Sequence, residues 1–210
     1  MSALAIDVGP FINPATTAVV ALEVQENLVL PDRSVLPGLA KAAVENNMVA
    51  NIASLADSAR AVGSRVYFVC DQRRKDRFGH ANNTFVHRKM TGEREWSGGH
   101  GEIVAELTPR PEDIYLERQQ GMTGFFTTSL DMYFRNTGVT TVILTGVSAN
   151  LSLVGTAIEG MNLGYRMIVP RDCIAGDPMT YVDDLLKYTI RNIALVTTSD
   201  VIKDYWATLG

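Results

Sequence analysis

The stretch TTVILTGVSANLSLVGTAIEGMNLGYRMIVP, Thr140 to Pro170, decides the fold because a strand, a helix and a second strand follow one another in it. Thr140 to Gly146 and Tyr165 to Val169 are short β-branched and apolar runs, which predict buried strands. The residues between them, from Leu151 to Leu163, predict a helix that Gly164 ends. Such a βαβ unit places its two strands in parallel within one sheet.

The same alternation continues on both sides of this stretch. Further predicted strands are Thr17 to Val24, Arg65 to Cys70, Asp113 to Arg118 and Ile193 to Thr197. Further predicted helices are one with an apolar stripe from Val44 to Val62, one from Thr127 to Asn136, one from an Asp177 cap and Pro178 to Ile190, and a last one capped by Ser199. We therefore expect an α/β fold with a doubly wound, mostly parallel six-stranded sheet and helices on both faces, in a Rossmann-like three-layer arrangement.

Two segments fall outside this alternation, although residues 1–210 are expected to form a single domain. Residues 1–15 are predicted to be an N-terminal extension. Residues 71–101 are polar, rich in glycine, and hold all three histidines, His80, His87 and His100. A connection of this length predicts a long loop or a lid.

Composition limits the partners and the compartment. The formal net charge is -4, so no general basic field favours nucleic acid. No apolar run approaches the roughly 20 residues that span a bilayer, and no signal-peptide pattern is present. Cys70 and Cys173 are too few for a disulfide framework. We expect a cytoplasmic protein with a small-molecule substrate, no nucleic-acid partner and no membrane partner.

Several motifs then resemble those of one family. GVSANLSLVGTA (Gly146 to Ala157) and MIVPRDCIAG (Met167 to Gly176) are similar to the signature of the isochorismatase-like cysteine hydrolases. GFFTTSLDMYFRNTGVTTVILTG (Gly124 to Gly146) and ALEVQENLV (Ala21 to Val29) resemble the preceding helix and strand of that family and its first strand. The motifs cover most of the chain from Thr17 onward. The resemblance implies an isochorismatase-like hydrolase that forms a homo-oligomer, a dimer or larger.

The resemblance also implies three catalytic positions, all of which differ here from the family pattern. The aspartate that ends the first strand corresponds to Glu23, and the cysteine nucleophile corresponds to Ser152. The lysine corresponds to Arg118 when the alignment starts from Ile114, and to Gln119 when it starts from Phe125. A serine hydroxyl needs a well-placed base, because it lacks the thiolate fraction that makes cysteine reactive.

Further site residues follow from the resemblance or from position. The family has a cis peptide bond that corresponds to Val147–Ser148, so Ser148 and Ala149 are expected to contact substrate. Phe125 matches an aromatic residue at the edge of the family's pocket. Arg73, from a basic cluster after the second predicted strand, is a candidate for substrate binding, although such clusters are usually solvated.

A metal or another cofactor is not predicted. Asp71 lies where several amidase relatives place a metal or substrate ligand, but the paired-histidine spacing of a metal site is absent. Cys173 is an alternative nucleophile, for which a packed, inert thiol is the favoured interpretation. Trp96 and Phe126 are candidates for lining an apolar pocket.

Three functional hypotheses follow. In the favoured one, Glu23 acts directly on a small organic substrate as general acid or base, cleaving a C–N or an enol-ether C–O bond without a covalent nucleophile. In the second, Ser152 attacks an amide and Glu23 accepts its proton. The third is a catalytically silent relative that binds a metabolite or serves in an assembly. Structural roles stay open for each residue: Ser152 as a small helix residue, and Glu23 and Arg118 as a structural pair or solvated strand ends.

Overall fold

Six parallel strands form the centre of the computed structural model, which describes residues 7–74, 76, 78–79, 81, 83–85 and 101–209. The strands are β1 (Thr17–Leu22), β2 (Arg65–Asp71), β3 (Ile114–Arg118), β4 (Thr141–Gly146), β5 (Arg166–Pro170) and β6 (Leu195–Thr197). Their order in the sheet is β3-β2-β1-β4-β5-β6. The doubly wound six-stranded prediction is confirmed, and every neighbouring pair is parallel.

Seven α-helices connect or follow these strands in the described part of the chain. They are α1 (Glu26–Val29), α2 (Pro37–Glu45), α3 (Met48–Ala61), α4 (Leu130–Thr137), α5 (Val154–Asn162), α6 (Met179–Tyr188) and α7 (Ser199–Ala207). Short 3-10 turns lie at Gly9–Phe11, Pro14–Thr16, Ala105–Leu107, Arg171–Cys173 and Ile190–Asn192. A π-helical turn, Ala149–Leu153, leads into α5.

The alternation of side chains along β1 divides the core into two halves, one on each face of the sheet. Val19 and Ala21 belong to the half that includes α3 and α7 residues such as Leu55 and Trp206. Val20 and Leu22 belong to the other half, with residues of α4, α5 and α6. All six residues of β1 are buried, as expected of a central strand covered on both faces.

The single helix expected around Val44 to Val62 is wrong, because the chain forms α2 and α3 instead. Asn47 lies between them with a left-handed backbone, at φ 49°. Asparagine adopts this conformation more readily than most residues, and it ends the helical path. Val44 therefore leaves the apolar stripe and is 60% exposed.

Two predicted helix caps are also wrong. Asp177 does not cap α6, whose N-cap is Pro178 with no side-chain hydrogen bond. Ser199 is the first residue of α7 rather than its cap, and its amide donates to Asp172 Oδ1 at 2.8 Å. At α7, the carboxylate of Asp172 therefore caps the helix N-terminus. Asp172 is distant in sequence, so the local pattern does not reveal it.

Described residues of the N-terminal extension and residues just after the predicted lid pack against the rest of the domain. Val8 and Ile12 of the N-terminal extension are buried, and Trp206 Nε1 donates to the Ile12 carbonyl at 2.9 Å. Just after the predicted lid of residues 71–101, Ile103 bridges to Gln25, and the Val104 amide donates to the Val24 carbonyl. Residues 86–100, with His87, Trp96 and His100, lie outside the described residues, as do Lys75, Arg77 and His80. Among the described helices, none has the length and apolar character to cross a bilayer.

Candidate active site

The predicted catalytic residues lie together at the carboxyl-terminal edge of the sheet. Glu23 directly follows β1, Arg118 ends β3, and Ser152 lies in the turn between β4 and α5. β1 and β4 are neighbours, and the chain leaves them towards opposite faces of the sheet. This is the topological switch point where open parallel sheets bind ligands.

Glu23 leaves the sheet through an unusual backbone conformation. Its amide still pairs with the Val69 carbonyl at 2.8 Å, but its φ of 54° is left-handed. Gly146 ends the neighbouring strand at φ 100°, where a Cβ atom would clash with the main chain of Leu22. Non-glycine residues in this region are uncommon and concentrate at functional sites.

The carboxylate of Glu23 contacts both other catalytic candidates. Ser152 Oγ donates to Glu23 Oε2 at 3.1 Å. Arg118 forms an ion pair with Glu23 Oε1 through its Nη2. The exposed fractions are small: 7% for Glu23, 3% for Ser152 and 1% for Arg118. These three residues therefore form one buried cluster.

Arg118, not Gln119, is the residue beside the carboxylate. Gln119 is exposed, whereas the Arg118 guanidinium donates from Nη1 to the Met122 carbonyl at 2.7 Å. Arg118 is the last residue of β3, whereas Gln119 already lies beyond the strand. The two alignments of the family lysine thus place very different side chains in the cluster.

Asp71 joins the cluster, although the sequence indicated it only as a ligand position in relatives. It is the register partner of Arg118 in the β2–β3 pair, and its Oδ1 lies 3.8 Å from Arg118 Nη2. On its other side, Arg73 Nε lies 3.1 Å from both oxygens of Asp71. Positive and negative side chains therefore alternate through the cluster, in the order Arg73, Asp71, Arg118 and Glu23. The Ser152 hydroxyl follows Glu23 at the end of this row. The signal in the sequence was a carboxylate and an arginine that end neighbouring strands.

Gln25 fixes the main chain of this region. The side chain is fully buried, accepts from the Asp71 amide at 2.7 Å, and donates to the Asp71 carbonyl at 3.2 Å. It also donates to the Gly101 carbonyl at 2.7 Å. Because Glu23 has turned out of the sheet, the Gln25 amide supplies the hydrogen bonds that β1 would otherwise give to Asp71.

The environment perturbs both partners of the buried ion pair. Burial raises the pKa of Glu23 above its ordinary value, while Arg118 opposes the increase and Asp71 adds to it. Burial alone would lower the pKa of Arg118, but the Glu23 and Asp71 carboxylates outweigh this and raise it. Arg118 therefore stays charged and acts through its field and its hydrogen bonds rather than as a proton donor.

The turn that holds Ser152 has one feature expected of an oxyanion-binding site, a cis peptide bond, and one that opposes this role, an amide that already has a partner. The Val147–Ser148 peptide bond is cis, as the resemblance implied. The Ala149 amide donates to the Ala175 carbonyl at 2.8 Å, so it is occupied within the protein. The Ser148 carbonyl accepts from the amides of Leu151 and Leu153. Ser148 and Ala149 thus lie at the site, and the Ala149 N–H already has a partner.

Phe125 is buried in the half of the core that contains α4 and α5. Its ring stacks on Tyr165 with centroids 5.8 Å apart, and it meets Phe134 edge to face. Phe126 is half-exposed and lines a surface groove of about 470 Å³ with Met122, Gly155, Ile158 and Asn162. The lining of this groove does not include Glu23, Arg118 or Ser152.

Neither thiol is placed for nucleophilic chemistry. Burial raises the pKa of Cys70 to about 12, with a further contribution from nearby Glu23. Burial also raises the pKa of Cys173, and Asp172 adds to that increase. Reactive cysteines need the opposite shift. Among the described residues, no three histidine, cysteine or acidic side chains lie close enough together to hold a metal ion.

Comparisons with known proteins agree with this architecture. The isochorismatase domain family matches residues 17–201. A solved cysteine hydrolase from Pseudomonas syringae pv. phaseolicola 1448A superposes with a TM-score of 0.82 at 21% identity, covering 100% of both chains. The N-carbamoylsarcosine amidase structure from Thermoplasma acidophilum has a TM-score of 0.69 at 25% identity, covering 88% of this chain and 97% of that one.

Curated relatives match over shorter stretches. The ureidoacrylate amidohydrolase RutB of Pantoea ananatis (strain LMG 20103) is 28% identical over 142 residues, which are 60% of this chain and 55% of that protein. The uncharacterised isochorismatase family protein YwoC of Bacillus subtilis (strain 168) is 30% identical over 102 residues, or 49% and 51% of the two chains. The chain therefore spans about half the length of these two curated relatives.

Proposed function

The chain belongs to the isochorismatase family of hydrolases, and from that premise we propose that it cleaves a C–N bond of a small amide with Ser152 as nucleophile and Glu23 as its base. The observation that supports this most directly is the hydrogen bond from Ser152 Oγ to Glu23 Oε2 at 3.1 Å. A nucleophile within hydrogen-bonding reach of a base, which a third group orients, is the general arrangement of covalent catalysis. Arg118 is that third group here.

In the proposed reaction, the Ser152 oxygen attacks the substrate carbonyl carbon while its proton passes to Glu23. The C–N bond then breaks, the leaving nitrogen takes the proton from Glu23, and an ester remains on Ser152. Water attacks this ester and gives its proton to Glu23, and the Ser152 oxygen leaves as a hydroxyl by taking that proton back. The cycle starts only when Glu23 is ionised, because only the carboxylate can take the Ser152 proton, and the Arg118 ion pair favours that form.

The charge of the pair bears on the choice between the two enzymatic hypotheses. A protonated Glu23 would be the donor for direct acid catalysis on an enol ether, and burial in the site favours that protonated form. The contact with Arg118 favours the carboxylate instead. We therefore place Ser152-dependent amide hydrolysis first, and direct acid–base catalysis by Glu23 second. The words amidohydrolase and amidase in the names of two relatives support a C–N bond as the target.

A panel of small amides, ureides, esters and enol ethers tests the proposal. We expect Ser152→Ala and Glu23→Gln each to lower kcat by about a thousandfold, because each removes a group that takes part in bond making or proton transfer. Ser54→Ala, which changes an exposed serine, should keep full activity. Intact-mass analysis of a quenched reaction should show an acyl adduct on Ser152 in the native chain.

Each other outcome favours a different hypothesis. Turnover that survives in Ser152→Ala and is lost in Glu23→Gln would replace the nucleophilic mechanism by direct acid–base catalysis. Thermal stabilisation by a compound of the panel, with no product from any of them, would instead favour the silent metabolite-binding protein.

A further inference from the structure

Asp71 is placed to compete with Glu23 for the same guanidinium. Arg118 Nη2 contacts Glu23 Oε1 and lies 3.8 Å from Asp71 Oδ1, while Nη1 is held by the Met122 carbonyl. One buried cation thus serves two carboxylates. The attraction that either carboxylate receives from Arg118 therefore depends on the charge and position of the other.

Asp71 is held in this position from two sides. Gln25 binds its amide and its carbonyl, which fixes the main chain. Arg73 lies with Nε 3.1 Å from both carboxylate oxygens, which orients the side chain and offsets its charge. The Asp71 and Arg73 side chains are each only 13% exposed, so water screens this contact weakly. Pairing of β2 with its neighbours does not require these contacts of the Asp71 side chain.

We propose that Asp71 is a positioning residue that shares Arg118 with Glu23, limits how strongly the guanidinium holds the Glu23 carboxylate, and so leaves that carboxylate able to take the Ser152 proton. This role rests on the proposed function, in which Glu23 is a base. Without Asp71, Arg118 would turn wholly to Glu23 and make it a weaker base. Without Arg73, the uncompensated Asp71 would draw Arg118 away and make Glu23 a stronger one.

The groups that face Glu23 in the described residues come from three elements. Arg118 lies on β3, Asp71 and Cys70 lie on β2, and Ser152 lies in the turn after β4. Arg118 lowers the pKa of Glu23 and Asp71 raises it. The thiol of Cys70 stays protonated over the relevant range, because its pKa is raised to about 12. Asp71 and Arg73 are thus the two charges that can be removed without substituting either Glu23 or Arg118.

The test is an NMR titration of the Glu23 side-chain carboxyl carbon, with the signal assigned by its loss in Glu23→Gln. Relative to the native chain, Asp71→Asn should lower the titration midpoint by about one pH unit, and Arg73→Gln should raise it by a similar amount. Both changes are close in shape to the native side chains. Asp183→Asn breaks an exposed ion pair with Arg171 and should leave the midpoint unchanged, because water and salt screen exposed charges.

Opposite shifts in the two variants are the result that a merely structural role for Asp71 would not give. An unchanged midpoint in both variants, or a rise in Asp71→Asn, would overturn the proposal. Should Asp71→Asn fail to fold, the direction of the shift in Arg73→Gln decides alone.

The titration needs no substrate, so its outcome is independent of whether Ser152 is a nucleophile. Where a substrate is found, the acidic limb of the kcat–pH profile should move with the midpoint: to lower pH in Asp71→Asn and to higher pH in Arg73→Gln. Shifted NMR midpoints in a protein without turnover would keep the role of Asp71 in setting the Glu23 charge and refute only the proposed function.

Discussion

At the scale of single residues, the three changes from the family pattern are chemically connected. Glutamate reaches farther than aspartate by one methylene, and arginine presents a planar group with five donors where lysine has a single ammonium. Arg118 can therefore contact Glu23, Asp71 and the Met122 carbonyl together. Because its pKa is raised, Arg118 does not supply a proton as a lysine can. In the proposed reaction, proton transfer therefore falls to Glu23.

The buried ion pair should be strongly coupled in stability. We expect Arg118→Met to lower the free energy of unfolding by about 4 kcal/mol, because it leaves a buried carboxylate without its partner. Combining it with Glu23→Leu should recover most of that loss, since a buried pair is often replaceable by apolar residues. Urea denaturation of the native chain, Arg118→Met, Glu23→Leu and the double variant measures the coupling. Arg171→Met, at an exposed pair, should change stability by about 0.5 kcal/mol or less.

The same variant gives a pH dependence with a defined sign. In Arg118→Met the group that lowers the pKa of Glu23 is gone, so the folded-state pKa lies further above the ordinary value of 4.5. The folded chain then binds a proton that the unfolded chain has lost. The contribution of Glu23 to stability is therefore complete below 4.5 and lost as the pH rises through the folded-state pKa. Stability that rises with pH over this interval would contradict the assignment.

At the scale of elements, the end of β1 shows how a side chain can replace a strand. After Leu22 the main chain turns out of the sheet at Glu23, and the Gln25 amide hydrogen-bonds to Asp71 and Gly101 in its place. These bonds join the end of β2 to the segment that begins at Gly101. Gln25 is therefore predicted to set the geometry of both segments.

Replacing Gln25 by leucine tests that role. Gln25→Leu removes three hydrogen bonds and leaves the partly buried amide and carbonyl of Asp71 and the buried carbonyl of Gly101 without these partners. We expect it to cost about 3 kcal/mol of unfolding free energy, since each buried unsatisfied group costs about 1–3 kcal/mol before relaxation. Gln119→Leu, at an exposed position, should have little effect. Equal denaturation midpoints for the two variants would show that the Gln25 contacts contribute little.

At the scale of the whole molecule, the two thiols lie in opposite halves of the chain and report on its integrity. Cys70 on β2 and Cys173 after β5 are both fully buried, and both pKa values are raised. Alkylation needs an accessible thiolate. We expect iodoacetamide to modify neither cysteine in the folded protein and both together on unfolding, as followed by mass spectrometry. Rapid modification of one cysteine under native conditions would reveal local opening of the corresponding part of the sheet.

The sequence by itself determined that six strands alternate with helices along the chain. Apolar runs, helical spacing of apolar residues and glycines at helix ends are local properties, so they can be recognised without the structure. Family motifs in the right order determined the fold and the positions of Glu23 and Ser152. Local pattern could not decide the break at Asn47, since the apolar stripe continues across it, nor the cap of α7, since Asp172 is distant in sequence.

The tertiary structure alone decided which charges meet. Arg118 and Gln119 are neighbours in sequence, and only the folded chain shows that Arg118 lies in the cluster and that Gln119 is exposed. Asp71 approaches Arg118 from the neighbouring strand, and Gln25 reaches Asp71 because Glu23 leaves the sheet. Long-range electrostatics and strand register depend on the packed chain as a whole. The sequence therefore placed the candidate catalytic positions, and the fold set the charges around them.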